Sequence, residues 1–252
     1  MNRKIALITG GSRGLGRNAA LKLTKKGCDI ILTYRSQAEE AQTVIQEIEA
    51  LGGRGVALQL DVGASSEFDA FVARVKSELQ KMWQCDSFDY LLNNAGVGLH
   101  KPFAETTEAD FDNLMNIHLK GPFFLTQKLL PTIADGGSIL NVSSGLARFT
   151  LPGAGTYAAM KGAMEVLTRY QAKELGKRGI RVNVIAPGAI ETDFSGGIVR
   201  DNAETNAWVA SQTALGRAGL PDDIGNAIAM LLSDESGWIN GQRIEASGGM
   251  FL

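Results

Sequence analysis

The sequence predicts an α/β fold in a single domain, with a doubly wound parallel sheet of about seven strands and helices on both faces. Short apolar segments rich in β-branched residues alternate with longer segments of helical period along all 252 residues. Several of the apolar segments are continuous, without alternating polar residues, which is typical of parallel strands buried on both faces. The sequence contains no linker rich in proline or serine, so residues 1–252 are expected to form one domain.

The predicted strands and helices alternate as right-handed β-α-β crossovers require. Strands are predicted at Ile5–Thr9, Cys28–Tyr34, Gly55–Leu60, Tyr90–Asn93, Ser138–Val142, Arg181–Ala186 and Gln242–Ala246. Helices are predicted at Arg17–Lys26, Ala38–Leu51, Ser66–Lys81, Glu108–Leu130, Gly155–Leu175 and Pro221–Leu232. Apolar residues recur three and four positions apart in these helices, as at Val44, Ile45 and Ile48, which indicates one buried face.

One long segment, residues 190–212, interrupts this alternation. It follows Pro187-Gly188 at the end of a predicted strand and mixes apolar residues such as Phe194 and Trp208 with polar ones. Ligands of doubly wound sheets bind beyond the carboxyl ends of the strands. A long excursion at such an end therefore favours a substrate lid, and a plain surface segment with a short helix is the alternative.

Composition and charge exclude several classes of function. The formal net charge is -2, which gives no electrostatic reason to expect nucleic acid or a membrane surface as a partner. No apolar run is long enough for a signal sequence or a membrane span, and Cys28 and Cys85 are too isolated for a disulfide framework. We therefore expect a cytoplasmic protein. His100 and His118 lack metal-ligand spacing, so no metal site is expected.

A glycine-rich segment, Thr9–Gly16, follows the first predicted strand and opens the first helix. Its glycines let the backbone turn tightly and approach a ligand closely. The free N–H groups and the dipole at a helix start favour a pyrophosphate, so the segment predicts a dinucleotide site. The residues expected to contact the dinucleotide here are Gly10, Ser12, Arg13, Gly14, Leu15 and Gly16.

The end of the second predicted strand indicates which dinucleotide binds. An NAD site usually has an acidic residue about 20 residues after the glycine loop. Here the strand ends Tyr34-Arg35-Ser36, and no carboxylate follows before Glu39. Arg13 and Arg35 offer two guanidinium groups for a 2′-phosphate, although two solvated surface arginines are the alternative. These residues favour NADP(H) over NAD.

A tyrosine and a lysine, Tyr157 and Lys161, lie four residues apart on one face of a predicted helix. A free tyrosine has a pKa near 10, and a nearby cation favours its phenolate. Lys161 and the positive nicotinamide ring are therefore expected to lower the Tyr157 pKa into the range of efficient proton transfer. Chance often supplies this spacing, but Ser143-Ser144 and Asn93–Gly96 end neighbouring predicted strands at the same edge.

Together these motifs resemble those of the short-chain dehydrogenase/reductase family, and the resemblance covers essentially the whole chain. The matching motifs are Thr9–Gly16, Asp61-Val62, Asn93–Gly96, Asn116, Ser144, Tyr157 with Lys161, Pro187-Gly188 and Thr192. The resemblance implies a Rossmann fold and an NADPH-dependent oxidoreductase that reduces a ketone to a secondary alcohol. The family's catalytic serine precedes the tyrosine by thirteen residues, which selects Ser144 over Ser143.

The resemblance also implies a role for each matching residue. Tyr157 would donate a proton to the carbonyl oxygen, and Ser144 would hydrogen-bond that oxygen. Lys161 would hold the nicotinamide ribose, and Asn116 would anchor a water in the proton relay. The other expected cofactor contacts are Asp61 and Val62 at the adenine, Asn94, Ala95 and Gly96 at the adenosine ribose, Pro187 and Gly188, and Thr192 at the carboxamide.

Within the family, the sequence resembles the 3-oxoacyl-[acyl-carrier-protein] reductases most. Thr132–Gly137, however, lacks the basic cluster that helps those enzymes hold an acidic carrier protein, and Ala246-Ser247 replaces their usual Val-Asp. Arg178 does match one carrier-facing basic position. A broader NADPH-dependent carbonyl reductase acting on a small molecule is therefore the first expectation. A carrier-protein reductase and a sugar or polyol dehydrogenase remain alternatives.

A non-catalytic dinucleotide-binding regulator on the same fold is less favoured, because such a protein is free to lose the catalytic side chains and this chain keeps them. The resemblance further implies a homotetramer or a homodimer. Its subunits would meet through the helices Glu108–Leu130 and Gly155–Leu175, with the apolar ending Met250–Leu252 near another interface.

Overall fold

The structure is a computed structural model that describes residues 3–252. Its strands are β1 (Lys4–Ile8), β2 (Cys28–Tyr34), β3 (Gly55–Gln59), β4 (Phe88–Asn93), β5 (Ile133–Val142), β6 (Arg181–Pro187) and β7 (Arg243–Ala246). Its helices are α1 (Gly14–Lys25), α2 (Ala38–Ala50), α3 (Phe68–Glu78), α4 (Glu108–Met115), α5 (Gly121–Leu129), α6 (Gly155–Leu175), α7 (Ile198–Asp201), α8 (Ala203–Ser211) and α9 (Pro221–Leu232). The strands form one parallel sheet in the order β3-β2-β1-β4-β5-β6-β7. The predicted α/β fold is confirmed.

The core lies in two layers, one on each face of the sheet. Successive side chains of a strand point to opposite faces, and in β1 Ala6 and Ile8 enter one layer whereas Ile5 and Leu7 enter the other. Helices α1, α2 and α9 cover the first layer, and helices α3 and α5 contribute to the second. Because both faces are covered, the centres of the inner strands are apolar and buried, as at Ile30, Ile31 and Leu32 of β2.

The parallel arrangement places the carboxyl ends of the strands along one edge. Strand β1 pairs with β2 on one side and with β4 on the other. The strand order therefore reverses at β1, because β2 and β3 extend the sheet in one direction and β4 to β7 extend it in the other. A crevice opens at such a switch point, and the segments that follow the strands form its walls.

The predicted helix Glu108–Leu130 is interrupted in the structure. Helix α4 ends at Met115, residues Asn116–Lys120 form a π-helical turn, and α5 begins at Gly121. Pro122 has no N–H to continue the α-helical hydrogen bonds, and a side chain at Gly121 would collide with the Val62 carbonyl oxygen. The predicted helix is therefore present but contains a π-helical turn in its middle, and such turns are frequent at functional sites.

The segment 190–212 folds into a compact excursion that contains α7 and α8. The Asn202 side chain accepts a hydrogen bond from the Thr205 N–H and caps α8. At its start, Ile190 bridges Gly219, and just beyond its end Thr213 bridges Met250, so both ends are tied to neighbouring segments. Its action as a lid stays a prediction.

Other features of the chain bear on the expectations from composition. Within residues 3–252, no helix combines the length and apolar character that crossing a membrane requires. The same residues contain no group of three or more histidine, cysteine or acidic side chains arranged to hold a metal ion. Cys28 is buried, Cys85 is half-buried, and both are free thiols.

Candidate active site

A cavity of about 800 Å³ opens at the carboxyl edge of the sheet. Its walls come from the segments that follow β1 to β6, from the start of α6 and from the excursion 190–212. The predicted site residues that line it are Gly10, Ser12, Arg13, Gly14, Leu15, Arg35, Asp61, Val62, Asn94, Ala95, Gly96, Ser144, Tyr157, Lys161, Pro187, Gly188 and Thr192. Two predicted residues, Gly16 and Asn116, are not among its lining residues.

The glycine loop is shaped by close backbone contacts. Gly10 and Gly14 have φ angles of +65° and +54°, in the region that side chains disfavour. A Cβ at Gly10 would lie 2.9 Å from the Ala95 Cα, and a Cβ at Gly16 would collide with the Gly10 carbonyl. Gly16 therefore serves the packing of the loop against α1 rather than the lining of the cavity.

The Asn94 side chain fastens the segment after β4 to the glycine loop. Its Nδ2 donates to the carbonyl oxygens of Thr9 and Gly10 at 2.9 and 3.0 Å. In return, the Thr9 hydroxyl accepts hydrogen bonds from the N–H groups of Asn94 and Ala95. Together these bonds hold the two backbone walls of the cavity at a fixed separation.

The start of α1 favours an anion. No side chain caps this helix end and its first turn contains no acidic residue, so the free N–H groups and the positive dipole end are available. Arg13 directly precedes α1 and Arg35 directly follows β2, and both line the cavity. The only carboxylate of β2, Asp29, lies at the strand's other end, where it is buried against Arg54 and Trp83.

Tyr157 and Lys161 lie in the first two turns of α6, and both are buried. The Lys161 Nζ lies 5.5 Å from the centroid of the Tyr157 ring and donates a hydrogen bond to the Val142 carbonyl at 2.8 Å. Ser144 follows β5, and its Oγ accepts a hydrogen bond from the Leu146 N–H at 3.2 Å. The ends of β5 and α6 thus bring a phenol, an ammonium group and a hydroxyl to one wall.

Burial controls the protonation of these groups. It raises the pKa of Tyr157, although a hydrogen bond with Ser144 acts in the opposite direction. Burial also lowers the pKa of Lys161 to about 7, because the charged form loses its hydration. In the chain without a cofactor, burial therefore shifts the Tyr157 pKa upward, because desolvation outweighs the hydrogen bond with Ser144. The lowering expected from Lys161 together with a bound nicotinamide stays a prediction. At neutral pH the phenol keeps its proton.

The polar side chain that the π-helical turn brings to Tyr157 is His118. The His118 ring is buried, lines the cavity and packs against the ring of Tyr157. Asn116 is half-buried, and its carbonyl oxygen accepts the Gly121 N–H that closes the π-helical turn. Sequence reasoning missed His118 as a site residue; the signal for it was Gly121-Pro122 within an otherwise helical pattern.

The part of the cavity that is lined by the loop after β5 and by the excursion 190–212 is mainly apolar. Its lining includes Leu146, Phe149, Leu151, Phe194, Trp208 and Met250. These side chains come from the loop after β5, from the excursion 190–212 and from the carboxyl-terminal segment, where no strand or helix period marks them. Sequence reasoning noted Phe194 and Trp208 only as apolar members of the excursion.

Comparison with known proteins decides the family. A family model described as enoyl-(acyl carrier protein) reductase matches residues 10–251. A 3-oxoacyl-[acyl-carrier-protein] reductase of Staphylococcus aureus is 36% identical over 251 residues, which cover 99% of this chain and 98% of that protein. The chain belongs to the short-chain dehydrogenase/reductase family. The predicted family is therefore confirmed.

Two solved structures of ketoreductases are similar to this short-chain dehydrogenase/reductase. The promiscuous reductase LugOII, described as catalysing keto-reduction at C1 during lugdunomycin biosynthesis, is 34% identical with a TM-score of 0.94, and the match covers 99% of this chain and 98% of that one. The angucycline C-6 ketoreductase LanV, solved with bound NADP, is 35% identical with a TM-score of 0.93 over 98% of this chain and 95% of that one.

Proposed function

We propose that this chain is an NADPH-dependent ketone reductase that forms a secondary alcohol, with Tyr157 as the proton donor. The observation that carries the proposal is the shared cavity: the protonated phenol of Tyr157, the hydroxyl of Ser144 and the ammonium of Lys161 line the same space as the glycine loop. Proton donor and dinucleotide cradle are thus within one crevice.

The residues present fit NADP(H). Gly10 and Gly14 line the cavity, and the uncapped start of α1 offers N–H groups to a pyrophosphate. Arg13 and Arg35 match a 2′-phosphate, for which a guanidinium group makes strong bidentate contacts. The NADP bound in the similar ketoreductase LanV supports the same choice.

When bound, NADPH supplies the hydride that forms the new C–H bond at the carbonyl carbon. Tyr157 donates its phenolic proton to the carbonyl oxygen, and that transfer leaves a phenolate. Ser144 stabilises the negative charge that develops on the same oxygen. The Ser144 Oγ accepts a hydrogen bond from the Leu146 N–H, which holds this oxygen in place at the end of β5.

Lys161 supports this step through its charge. Its pKa of about 7 means that the ammonium and the neutral amine are both populated at neutral pH. A phenolate forming at Tyr157 favours the ammonium, because opposite charges stabilise each other in a buried site. Lys161 thus acts on the product of proton transfer more than on the resting phenol.

The strongest alternative is a 3-oxoacyl-[acyl-carrier-protein] reductase, which the Staphylococcus aureus relative supports. Arg178, the basic residue expected to face a carrier protein, is instead engaged within the chain. Its guanidinium donates to the Asp135 carboxylate and to the carbonyl oxygens of Leu130 and Ile133, at the end of β5 remote from the catalytic edge. We therefore favour a small-molecule ketone.

Steady-state assays with NADPH and NADH against a panel of activated ketones and β-ketoesters test the proposal. We expect ketone-dependent oxidation of NADPH, with kcat/KM at least about tenfold higher than with NADH because of the arginine contacts. Absence of ketone-dependent oxidation of either cofactor across the panel would contradict the proposed activity.

A further inference from the structure

The apolar end of the cavity is built from aromatic rings. Phe149, Phe194 and Trp208 line it, and we call these three residues the aromatic wall. The rings of Phe149 and Trp208 both pack against Phe251, with centroids 4.8 and 6.1 Å apart. Phe194 stands beside the proton donor, since its ring centroid lies 6.1 Å from that of Tyr157.

Two of these rings pack closely against the backbone of a glycine, which restricts their positions. A Cβ at Gly145 would lie 2.6 Å from the Cε1 of Phe149, so the ring rests directly on the backbone. A Cβ at Gly98 would lie 3.2 Å from the Cε1 of Phe194. A larger residue at either glycine would push a ring from its place.

Arg148 holds the carboxyl-terminal part of this arrangement. Its guanidinium donates to the carbonyl oxygens of Met250 and Phe251 at 2.7 and 3.1 Å, and it pairs with both carboxylate oxygens of Glu245. The same guanidinium lies 5.4 Å from the centroid of Phe149. These contacts therefore hold the rings in a preformed arrangement.

The charged side chains that line the cavity, apart from Lys161 beside Tyr157, lie at its dinucleotide end or form an ion pair. Arg13, Arg35 and Asp61 lie on the segments after β1, β2 and β3, at the dinucleotide end. Asp193, next to the aromatic wall along the chain, forms an ion pair with Arg200 at 2.6 Å. Apart from Lys161 beside Tyr157, no lysine or arginine among the described lining residues lies near the aromatic wall along the chain to meet the phosphates of a coenzyme A or carrier-protein thioester.

The wall also leaves apolar surface without a partner. Phe194 and Trp208 are 45% and 43% exposed, although each faces the cavity. Removing such surface from water is favourable, and aromatic rings pair best with other rings at centroid distances of about 4.5 to 7 Å. A flat ring system that reaches from Tyr157 past Phe194 would cover this surface.

We infer that this site takes an uncharged, flat ketone in which the reacting ring is fused to an aromatic ring. The carbonyl lies at Tyr157 and the aromatic part lies against the aromatic wall. This inference rests on the proposed ketone reduction and adds its substrate class.

The first experiment compares three ketones with the full-length protein and NADPH. The compounds are 2-tetralone, its saturated counterpart trans-2-decalone, and acetoacetyl-coenzyme A as a charged acyclic thioester. The 2-tetralone carbonyl is not conjugated with the ring, so the two bicyclic ketones differ mainly in their aromatic surface. We expect kcat/KM to be at least about tenfold higher for 2-tetralone than for either competitor.

The second experiment removes the rings but keeps apolar bulk. Trp208→Leu and Phe149→Leu are each expected to reduce the ratio of the 2-tetralone and trans-2-decalone kcat/KM values by at least about threefold. The matched control is Trp238→Leu, since Trp238 is fully exposed and does not line the cavity. It should leave the ratio unchanged, and thermal unfolding verifies that all three variants fold.

The outcomes separate this inference from the proposed function. Equal kcat/KM values for the bicyclic ketones, a preference for the thioester, or an unchanged ratio in both folded wall variants would overturn the aromatic substrate class and leave ketone reduction standing. No oxidation of NADPH with any ketone would overturn the proposed function, and the substrate class with it.

Discussion

His118 packs edge-on against Tyr157, with ring centroids 5.2 Å apart and an angle of 86° between the ring planes. The His118 Nε2 lies 2.7 Å from the Val97 carbonyl oxygen and 3.3 Å from the Val97 nitrogen, and the shorter contact with an acceptor favours the tautomer in which Nε2 carries the proton and donates. Nδ1 then carries a lone pair, and it is buried without a hydrogen-bond partner among residues 3–252. The imidazole thus connects the segment after β4 with the proposed proton donor.

His118 is expected to make the stability of the protein depend on pH. Burial, followed by the charge of Lys161, lowers its pKa from 6.5 to about 3. Between these values the unfolded chain binds a proton that the folded chain does not. Stability is therefore lost as pH falls below 6.5, by about 2 kcal/mol at pH 5. Urea unfolding of the wild type and of His118→Asn at pH 7 and pH 5 measures this loss.

Between pH 7 and pH 5, the free energy of unfolding of His118→Asn should fall by about 2 kcal/mol less than that of the wild type. His100→Asn is the matched control, because it removes the other histidine and leaves His118 in place. An equal loss in His118→Asn and in the wild type would contradict the assignment.

Lys161 is expected to limit the activity at alkaline pH. Because burial lowers its pKa to about 7, the ammonium form is lost as pH rises above that value, and this is the form that we propose to hold the cofactor ribose and to stabilise the phenolate. The kcat/KM for NADPH, which reports ionisations of the free enzyme, should fall above about pH 7. Lys161→Arg keeps the charge and should flatten this decline. A wild-type kcat/KM for NADPH that stays level to about pH 9 would contradict the proposed loss of the Lys161 charge above pH 7.

Arg35 is expected to select the phosphorylated cofactor. Arg35→Asp replaces a donor to the 2′-phosphate with an acceptor for the 2′-hydroxyl, so the ratio of kcat/KM for NADPH over NADH should fall by at least about tenfold. The control is Arg169→Asp, which makes the same charge change at an exposed position on α6. If both variants keep the wild-type ratio, Arg35 does not contact the phosphate.

The surface of α5 and α6 is expected to join subunits. Phe123 and Phe124 on α5 and Val166 and Tyr170 on α6 are exposed apolar side chains, and Tyr170 is 66% exposed. Burying them between copies favours association. Light scattering should give a dimer or tetramer for the wild type and smaller species for Tyr170→Arg. Leu51→Arg, at the end of α2 on the other face of the sheet, is the control. A monomeric wild type would contradict the expected assembly.

Much of the site was predictable because polar residues that end parallel strands must meet at one edge. The glycine loop, Asn94 and the pair Ser143-Ser144 could be located in this way from the sequence alone, and the family resemblance selected Ser144 from the pair. Residues in helices and loops were harder. A regular helix gave no reason to choose His118, because the π-helical turn changes the direction in which side chains point after Met115. The aromatic wall comes from loops whose paths depend on tertiary contacts such as those of Arg148.

The protonation states of Tyr157 and Lys161 could not be predicted from the sequence either. The spacing of Tyr157 and Lys161 predicts that the two side chains lie close together, and they do. It does not predict how completely both are buried, and burial determines the direction of both pKa changes. The resting phenol that results is the form a reductase requires.

The most direct test of the account is the turnover of Tyr157→Phe. This substitution removes the phenolic proton and keeps the ring against His118, so NADPH affinity, measured by fluorescence titration, should stay within about threefold of the wild type. The kcat for ketone reduction should fall at least about a hundredfold, the usual contribution of a general acid. Tyr170→Phe, at an exposed tyrosine on the same helix, should keep full turnover. Equal kcat values for the wild type and Tyr157→Phe would contradict the proposed proton donor.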